Sequence, residues 1–116
     1  MAWSNVLHTL TAGGCLCIPS EDERTADING AINRLQANFI HVTPTVGRFL
    51  DPTTLKSLKK VLFIGKALKA SDLARWGEAS GAEIYNTYGP AECTVTSTVQ
   101  IFKMGEPNSR VDEPNI

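Results

Sequence analysis

Cysteine is scarce in this chain of 116 residues, in which only Cys15, Cys17 and Cys93 occur. So few cysteines, in an odd number, do not indicate a disulfide framework of the kind that holds small secreted domains together. Cys15 and Cys17 stand two apart in an apolar run and are predicted to be small core residues of a strand. No further Cys or His cluster completes a metal site beside them. A reducing, cytoplasmic setting is therefore expected.

Long apolar runs and an excess of one charge are also missing. The longest runs, such as Val61–Ile64, are far shorter than the ~20 residues of a membrane-spanning helix. Residues 1–3 lead into no signal-peptide pattern. The chain has eleven Lys and Arg residues and twelve Asp and Glu residues, which gives a net charge of −1. The chain is therefore expected to bind neither membranes nor nucleic acids.

Helical spacing of apolar residues recurs along the chain. The stretches with this spacing are 6–10, 28–35 and 73–76. Asp27 is expected to cap the second helix, and Ser71 or a residue near it the third, with Asp72 in the first turn. Gly81 is expected to end the third helix, and Pro44 to start a further short one.

Short apolar runs of strand character alternate with these helices. They are Cys15–Ile18, Phe39–Val42, Val61–Ile64, Ala82–Tyr85 and part of Thr94–Phe102. Ser20–Arg24 is interpreted as a loop, Leu55–Leu58 as a helical turn, and residues 104–116 as a linker or tail. The alternation predicts one α/β domain over residues 1–116, with a mostly parallel sheet and helices on both faces. Strands this apolar are expected to be covered on both sides.

The carboxyl ends of the predicted strands are where a parallel sheet binds ligands. The most informative of these ends is residues 86–92, Asn-Thr-Tyr-Gly-Pro-Ala-Glu. Gly89-Pro90 forces a turn, Tyr88 offers a ring for stacking on a base, and Glu92 is an oxygen ligand suited to Mg²⁺. From the residues alone, an ordinary Gly-Pro turn with a surface Glu and a half-buried Tyr is the favoured interpretation.

Residues 86–92 resemble the Asn-x-Tyr-Gly-Pro-Thr-Glu signature of adenylation domains in nonribosomal peptide synthetases. Residues 3–19 resemble the family's helix, Gly-Gly and strand segment, and residues 61–68 its middle strand and glycine turn. The resemblance therefore covers the whole chain, and it is closest to fungal members. It implies a flavodoxin-like three-layer sandwich that forms the substrate-recognising subdomain of a larger adenylate-forming enzyme.

The resemblance also implies an activity with two steps. ATP and an amino acid give an aminoacyl adenylate and pyrophosphate, and the acyl group then passes to the phosphopantetheine thiol of a carrier domain. ATP and Mg²⁺ are the implied cofactors, although neither is expected to bind tightly to this chain alone. The implied partners are the rest of the adenylation domain, the carrier and condensation domains, and an amino acid.

Site residues follow from the resemblance position by position. Tyr88 is expected to stack on adenine and Glu92 to hold Mg²⁺ as the one catalytic residue of this segment. The residues implied in nucleotide binding are Gly65, Lys66, Ala67, Asn86, Tyr88, Gly89 and Ala91. The residues implied in the side-chain pocket are Ser4, His41, Leu62, Ile64, Thr87, Val95 and Thr96. Such a mixed set predicts a medium-sized, mainly apolar substrate with one polar group. Without the resemblance, the apolar members would be ordinary core residues and His41 a structural histidine.

Two positions depart from the family pattern. Lys66 stands where a Glu or a small residue is usual, and it either pairs with phosphate or points to solvent. Ala91 replaces a Thr, with the loss of a hydrogen bond worth ~0.5–1.5 kcal/mol. The family's Ser/Thr/Gly-rich phosphate loop does not occur in the sequence, so the isolated chain is expected to be inactive. Two alternatives stay open, a stand-alone flavodoxin-like binding module and a segment of an acyl- or aryl-acid CoA ligase.

Overall fold

The architecture is a four-stranded sheet with helices, seen in a computed structural model that describes residues 2–89 and 96–102. The elements are α1 (Ala2–Thr11), α2 (Glu21–Ala26), α3 (Ile28–Leu35), β1 (Phe39–Val42), α4 (Pro44–Gly47), β2 (Lys60–Ile64), α5 (Ala70–Ser80), β3 (Glu83–Tyr88) and β4 (Thr98–Phe102). The strand order is β1-β2-β3-β4, in which β4 alone is antiparallel to its neighbour. The predicted α/β fold with a mostly parallel sheet is confirmed.

Local hydrogen bonds explain where the helices begin. The Asp27 side chain accepts from the Gly30 N–H at 2.9 Å, which confirms its capping role for α3. The α5 helix begins at Ala70, so Ser71 lies inside it and Lys69 occupies the cap position. Ser71 itself therefore does not cap α5, and the nearby cap residue is Lys69, whose N–H donates to the carboxylate of Asp72 at 3.1 Å.

One side of the sheet carries the hydrophobic core, and we call it the core face. The register aligns Ile40, Val61, Ile84 and Phe102 in one row across the four strands, and all four are buried. Helices α3 and α5 add Ile32, Leu73 and Trp76 to the same cluster. Phe63 and Trp76 meet edge to face, with ring centroids 5.7 Å apart and an interplanar angle of 76°.

The other side of the sheet, the open face, carries the alternate residues of each strand. Its members are Phe39, His41, Leu62, Ile64, Tyr85, Thr87, Val99 and Ile101. Helix α1 reaches this side through a 2.6 Å contact between Asn5 Oδ1 and His41 Nδ1, so helices lie on both faces as predicted. The expectation of complete cover was wrong for the described part of the chain, because Phe39, Val99 and Ile101 remain 47%, 54% and 53% exposed.

The first predicted strand is not formed. Residues 15–18 have no regular secondary structure, and both Cys15 and Cys17 are exposed free cysteines. A strand needs a ladder partner for its backbone groups, and the β1 edge pairs only with β2 within the described residues. The prediction that these cysteines belong to the core was therefore wrong.

Two connecting segments also differ from expectation. Ser20–Arg24 is not a loop, since Ser20 caps α2 in a reciprocal pair of hydrogen bonds with Glu23. Leu55–Leu58 forms turns instead of a helical turn, although both leucines are buried in the core. Across residues 2–89 and 96–102, no helix has the length and apolar character needed to cross a membrane.

Candidate functional site

A cleft of about 260 Å³ lies where the ends of β2 and β3 meet the start of β4. Its lining residues are Gly65, Lys66, Ala67, Asn86, Thr87, Tyr88, Thr98, Val99 and Gln100. Five of the residues that sequence analysis associates with a nucleotide are in this lining. Gly89 follows β3 directly but does not line the cleft, while Ala91 and Glu92 lie outside the described residues.

The β2 side of the cleft begins with a backbone turn at Gly65. Its φ of +94° is one that residues with a Cβ rarely adopt, so glycine allows the chain to leave the strand here. Lys66 and Ala67 follow on the rim and are exposed. Lys66 is the one charged side chain in the described lining, which therefore favours an anionic ligand.

The β3 side of the cleft is lined by Asn86 and Tyr88. The Oδ1 atom of Asn86 is buried and has no hydrogen-bond partner among the described residues. A buried acceptor left unpaired costs about 1–3 kcal/mol, so this atom calls for a donor from a ligand or another part of the chain. Tyr88 lies two residues further along the strand and is 53% exposed. An exposed ring beside a free acceptor suits a flat heterocycle with N–H donors.

The predicted side-chain pocket shares one face of the sheet. The register pairs His41 with Leu62 and Ile64 with Thr87, and all four project from the open face. Leu62 is half-buried, whereas Ile64 and Thr87 are only 5% and 4% exposed. The parallel strands thus bring together side chains that are up to 46 positions apart in the sequence (87 minus 41).

The other predicted pocket residues, Ser4, Val95 and Thr96, are not in the paired positions of β1, β2 and β3. Ser4 lies on α1, where its hydroxyl is 3.4 Å from His8 Nδ1. Thr96 is half-buried just before β4, and Val95 lies outside the described residues. The Thr87 hydroxyl donates to the Phe63 carbonyl at 3.2 Å, so it is already committed to the backbone of β2.

His41 has one satisfied and one unsatisfied ring nitrogen. With Asn5 Oδ1 as the acceptor at 2.6 Å, Nδ1 carries the proton and donates. Nε2 is then an acceptor, which is buried without a partner among the described residues. Burial, followed by the nearby His8 and the N-terminus, lowers the pKa of His41 below its usual 6.5. The ring is therefore neutral near pH 7.

Sequence reasoning missed Asn5 and the β4 side of the cleft. Asn5 gives no local signal, because its importance depends on a histidine 36 residues away. Thr98, Val99 and Gln100 line the cleft only because β4 turns back antiparallel to β3. A strand within residues 94–102 was predicted correctly, but the sequence carried no prediction of its direction or its neighbour.

Comparisons with known proteins identify the family of this chain. The family of AMP-binding enzymes matches residues 1–115, and the chain belongs to this family. Nonribosomal peptide synthetase ungA from Aspergillus violaceofuscus is 47% identical over 107 residues, which cover 92% of this chain and 1% of that protein. Nonribosomal peptide synthetase ungA' from Aspergillus campestris is 44% identical over 115 residues, which cover 99% of this chain and 1% of that protein.

The fold is shared with solved adenylation domains. The adenylation domain AlmE from Vibrio cholerae, crystallised with glycyl-adenosine-5'-phosphate, superposes with a TM-score of 0.73 and 29% identity. The match covers 84% of this chain and 20% of that domain. Together these matches place the chain with the adenylation domains of fungal nonribosomal peptide synthetases, of which it represents a small part.

Proposed function

We propose that this chain is the substrate-recognising subdomain of an amino-acid-activating adenylation domain. The proposal is supported by one observation: the predicted side-chain pocket and the cleft are both formed by strands β2 and β3. Strands β2 and β3 present Leu62, Ile64 and Thr87 on the open face, and the same two strands end at the cleft beside Asn86 and Tyr88. A carboxylate held at the first site would lie close to a nucleotide held at the second, which is the arrangement that adenylate formation requires.

The cleft would hold part of the nucleotide. Tyr88 would stack on adenine, and Asn86 Oδ1 would accept from its amino group. Lys66 adds a positive charge at the rim. A volume of about 260 Å³ is slightly below the ~300–1,000 Å³ of typical small-molecule sites, which suits a portion of ATP and not the whole molecule.

The proposal also includes the metal ion and the partner domains of the synthetase. Glu92 would hold Mg²⁺, whose role is to offset phosphate charge during adenylate formation. A carrier domain with phosphopantetheine would accept the acyl group, and a condensation domain of the same synthetase is a further expected partner. The isolated chain is expected to be inactive.

The open face would bind the amino acid side chain. Leu62 and Ile64 supply apolar surface, and His41 supplies a polar group. A medium-sized, mainly apolar substrate with one polar group follows from this composition. Acidic and strongly basic amino acids would leave a charge without a partner on this face.

A graft tests the proposal. The full chain replaces the matching segment of an active adenylation domain of known substrate, and amino-acid-dependent pyrophosphate exchange is measured against a panel of amino acids. Thermal melting of the chimera serves as the folding control. The expected result is a folded chimera with a new preference for a medium-sized, mainly apolar amino acid. A folded, active chimera that keeps its host's preference would refute the proposal.

A further inference from the structure

The relation between Asn5 and His41 narrows the substrate class further. Asn5 lies on α1 and His41 on β1, and their side chains meet at 2.6 Å on the open face. A carboxamide oxygen accepts a hydrogen bond and cannot donate one, so Asn5 Oδ1, which faces Nδ1, holds the histidine in the form with hydrogen on Nδ1. Nε2 is thereby fixed as an acceptor, with its lone pair available to a donor.

The described part of the chain does not supply that donor. His41 Nε2 is buried and unpaired there, on the side of the sheet that also carries Leu62 and Ile64. The Thr87 hydroxyl, on the same face, already donates to the Phe63 carbonyl. Polar groups buried in native proteins almost always have a partner, so whatever occupies this face is expected to provide one.

The partner should be uncharged. None of His41, Leu62, Ile64 and Thr87 carries a negative charge that could balance a buried ammonium or guanidinium group. A carboxylate would bring a second acceptor against Nε2 and no donor. A neutral N–H or O–H, as in an indole, phenol, alcohol or amide, satisfies both conditions.

We propose that the amino acid bound by this face carries a neutral hydrogen-bond donor in its side chain, which His41 Nε2 accepts, and that Asn5 is the positioning residue that fixes this acceptor. The inference rests on the proposed function, because it assigns the substrate of the same site. A site built to receive a donor rejects an analogue that lacks one more strongly than an apolar pocket rejects a change of one methylene.

Pairs of amino acids that differ by the donor alone test the selectivity. The grafted chimera is assayed by pyrophosphate exchange with tyrosine against phenylalanine, tryptophan against 3-benzothienylalanine, and threonine against valine. In the pair it activates best, the donor-bearing member should be favoured by roughly tenfold or more in kcat/KM. His41→Leu should remove that preference. Asn5→Asp keeps an acceptor at this position and should preserve it.

Asn5→Ala should weaken the preference several-fold, while Asn38→Ala, at an exposed asparagine before β1, should leave it unchanged. A chimera with a new substrate but equal use of both members of its best pair would overturn this inference and leave the proposed function standing. A folded, active chimera with its host's preference would overturn the proposed function itself.

The tautomer can be measured without any activity. The full chain has only two histidines, so long-range ¹H–¹⁵N correlation spectra of the ¹⁵N-labelled chain are simple, and His8→Gln assigns them. His41 should show hydrogen on Nδ1, and Asn5→Ala should shift it toward the Nε2–H form. Hydrogen on Nε2 in the unsubstituted chain would overturn the inference, whether or not the chimera folds.

Discussion

Arg48 and Asp72 form a bidentate ion pair, with Nε–Oδ1 and Nη2–Oδ2 distances of 2.9 and 2.8 Å. Arg48 follows α4 and Asp72 lies in the first turn of α5, so the pair joins the connection after β1 to the connection after β2. Asp72 is 7% exposed and also accepts from the Lys69 backbone. Both connections leave the strand ends that position the site, so this pair supports the site from the core side.

Acidification should weaken the folded chain through Asp72. The Arg48 guanidinium holds the pKa of Asp72 below its usual 3.8. A carboxyl whose pKa is lowered by folding contributes stability above its unfolded pKa and loses it as pH falls through the folded pKa. The free energy of unfolding should therefore decrease below about pH 4, and Glu23, with a pKa of about 2, and Asp51, whose pKa is also lowered, add to the slope.

Asp72→Asn should lower the free energy of unfolding at pH 7 by about 1–3 kcal/mol and reduce this pH dependence. Urea unfolding of the full chain between pH 7 and pH 2.5 measures both effects. Asp22→Asn, at an exposed carboxylate in the first turn of α2, is the matched control and should change little. An Asp72→Asn variant with the slope of the unsubstituted chain would contradict the assigned role.

Gly47 is required by close packing. A Cβ at this position would lie 2.6 Å from Phe63 Cε1 and 3.2 Å from Cζ, so the ring would have to move. Gly47→Ala should therefore destabilise the chain by about 1–3 kcal/mol, measured by thermal or urea unfolding. Phe63→Leu should be less harmful in the Gly47→Ala background than alone. A double-mutant cycle without coupling would show that the two residues do not meet.

Much of the fold could be predicted from the sequence, because its elements follow from local patterns. The spacing of Ile28, Ala31 and Ile32 and the cap at Asp27 determine α3, while the apolar run Val61–Ile64 lies within β2. The missed α2 helix has a local signal, the capping pair of Ser20 and Glu23, whereas the failed strand prediction depended on a tertiary partner. Residues 15–18 are apolar but have no strand to pair with in the described part of the chain.

The candidate site was only partly predictable. Tyr88 and Asn86 were found through a resemblance to a family motif, and the structure places both in the cleft lining. The direction of β4 and the contact of Asn5 with His41 are long-range relationships, which residue spacing does not encode. The predicted roles of all the site residues stay predictions, and Glu92, Ala91 and Val95 also lie outside the described part.

The aromatic ring of Tyr88 should contribute to ATP binding. Stacking on a base is worth ~1–3 kcal/mol, so Tyr88→Ala in the grafted chimera should raise the KM for ATP by roughly 5- to 150-fold. Tyr88→Phe keeps the ring and should change the KM little. Steady-state pyrophosphate exchange at varied ATP provides the measurement. Equal losses in both variants would assign the effect to the hydroxyl and not to stacking.

Lys66 should affect the nucleotide through its charge. It is the one charged residue in the described cleft lining, so Lys66→Glu should weaken ATP binding by the chimera several-fold more than Lys66→Met does. The difference should shrink as salt is added. Lys56→Glu, at an exposed lysine away from the cleft, is the control for net charge. Identical ATP affinity in all variants would mean that Lys66 points to solvent.

A reversal within the grafted chimera tests whether the open face determines which amino acid is activated. His41, Leu62, Ile64 and Thr87 are replaced together by the residues that the host has at the same positions, and pyrophosphate exchange is measured across the amino acid panel. If the open face holds the selectivity pocket, the host's original preference should return in a protein that melts like the chimera. A folded variant that retains the grafted preference would show that selectivity lies elsewhere in the segment and would contradict the assignment of the pocket to the open face.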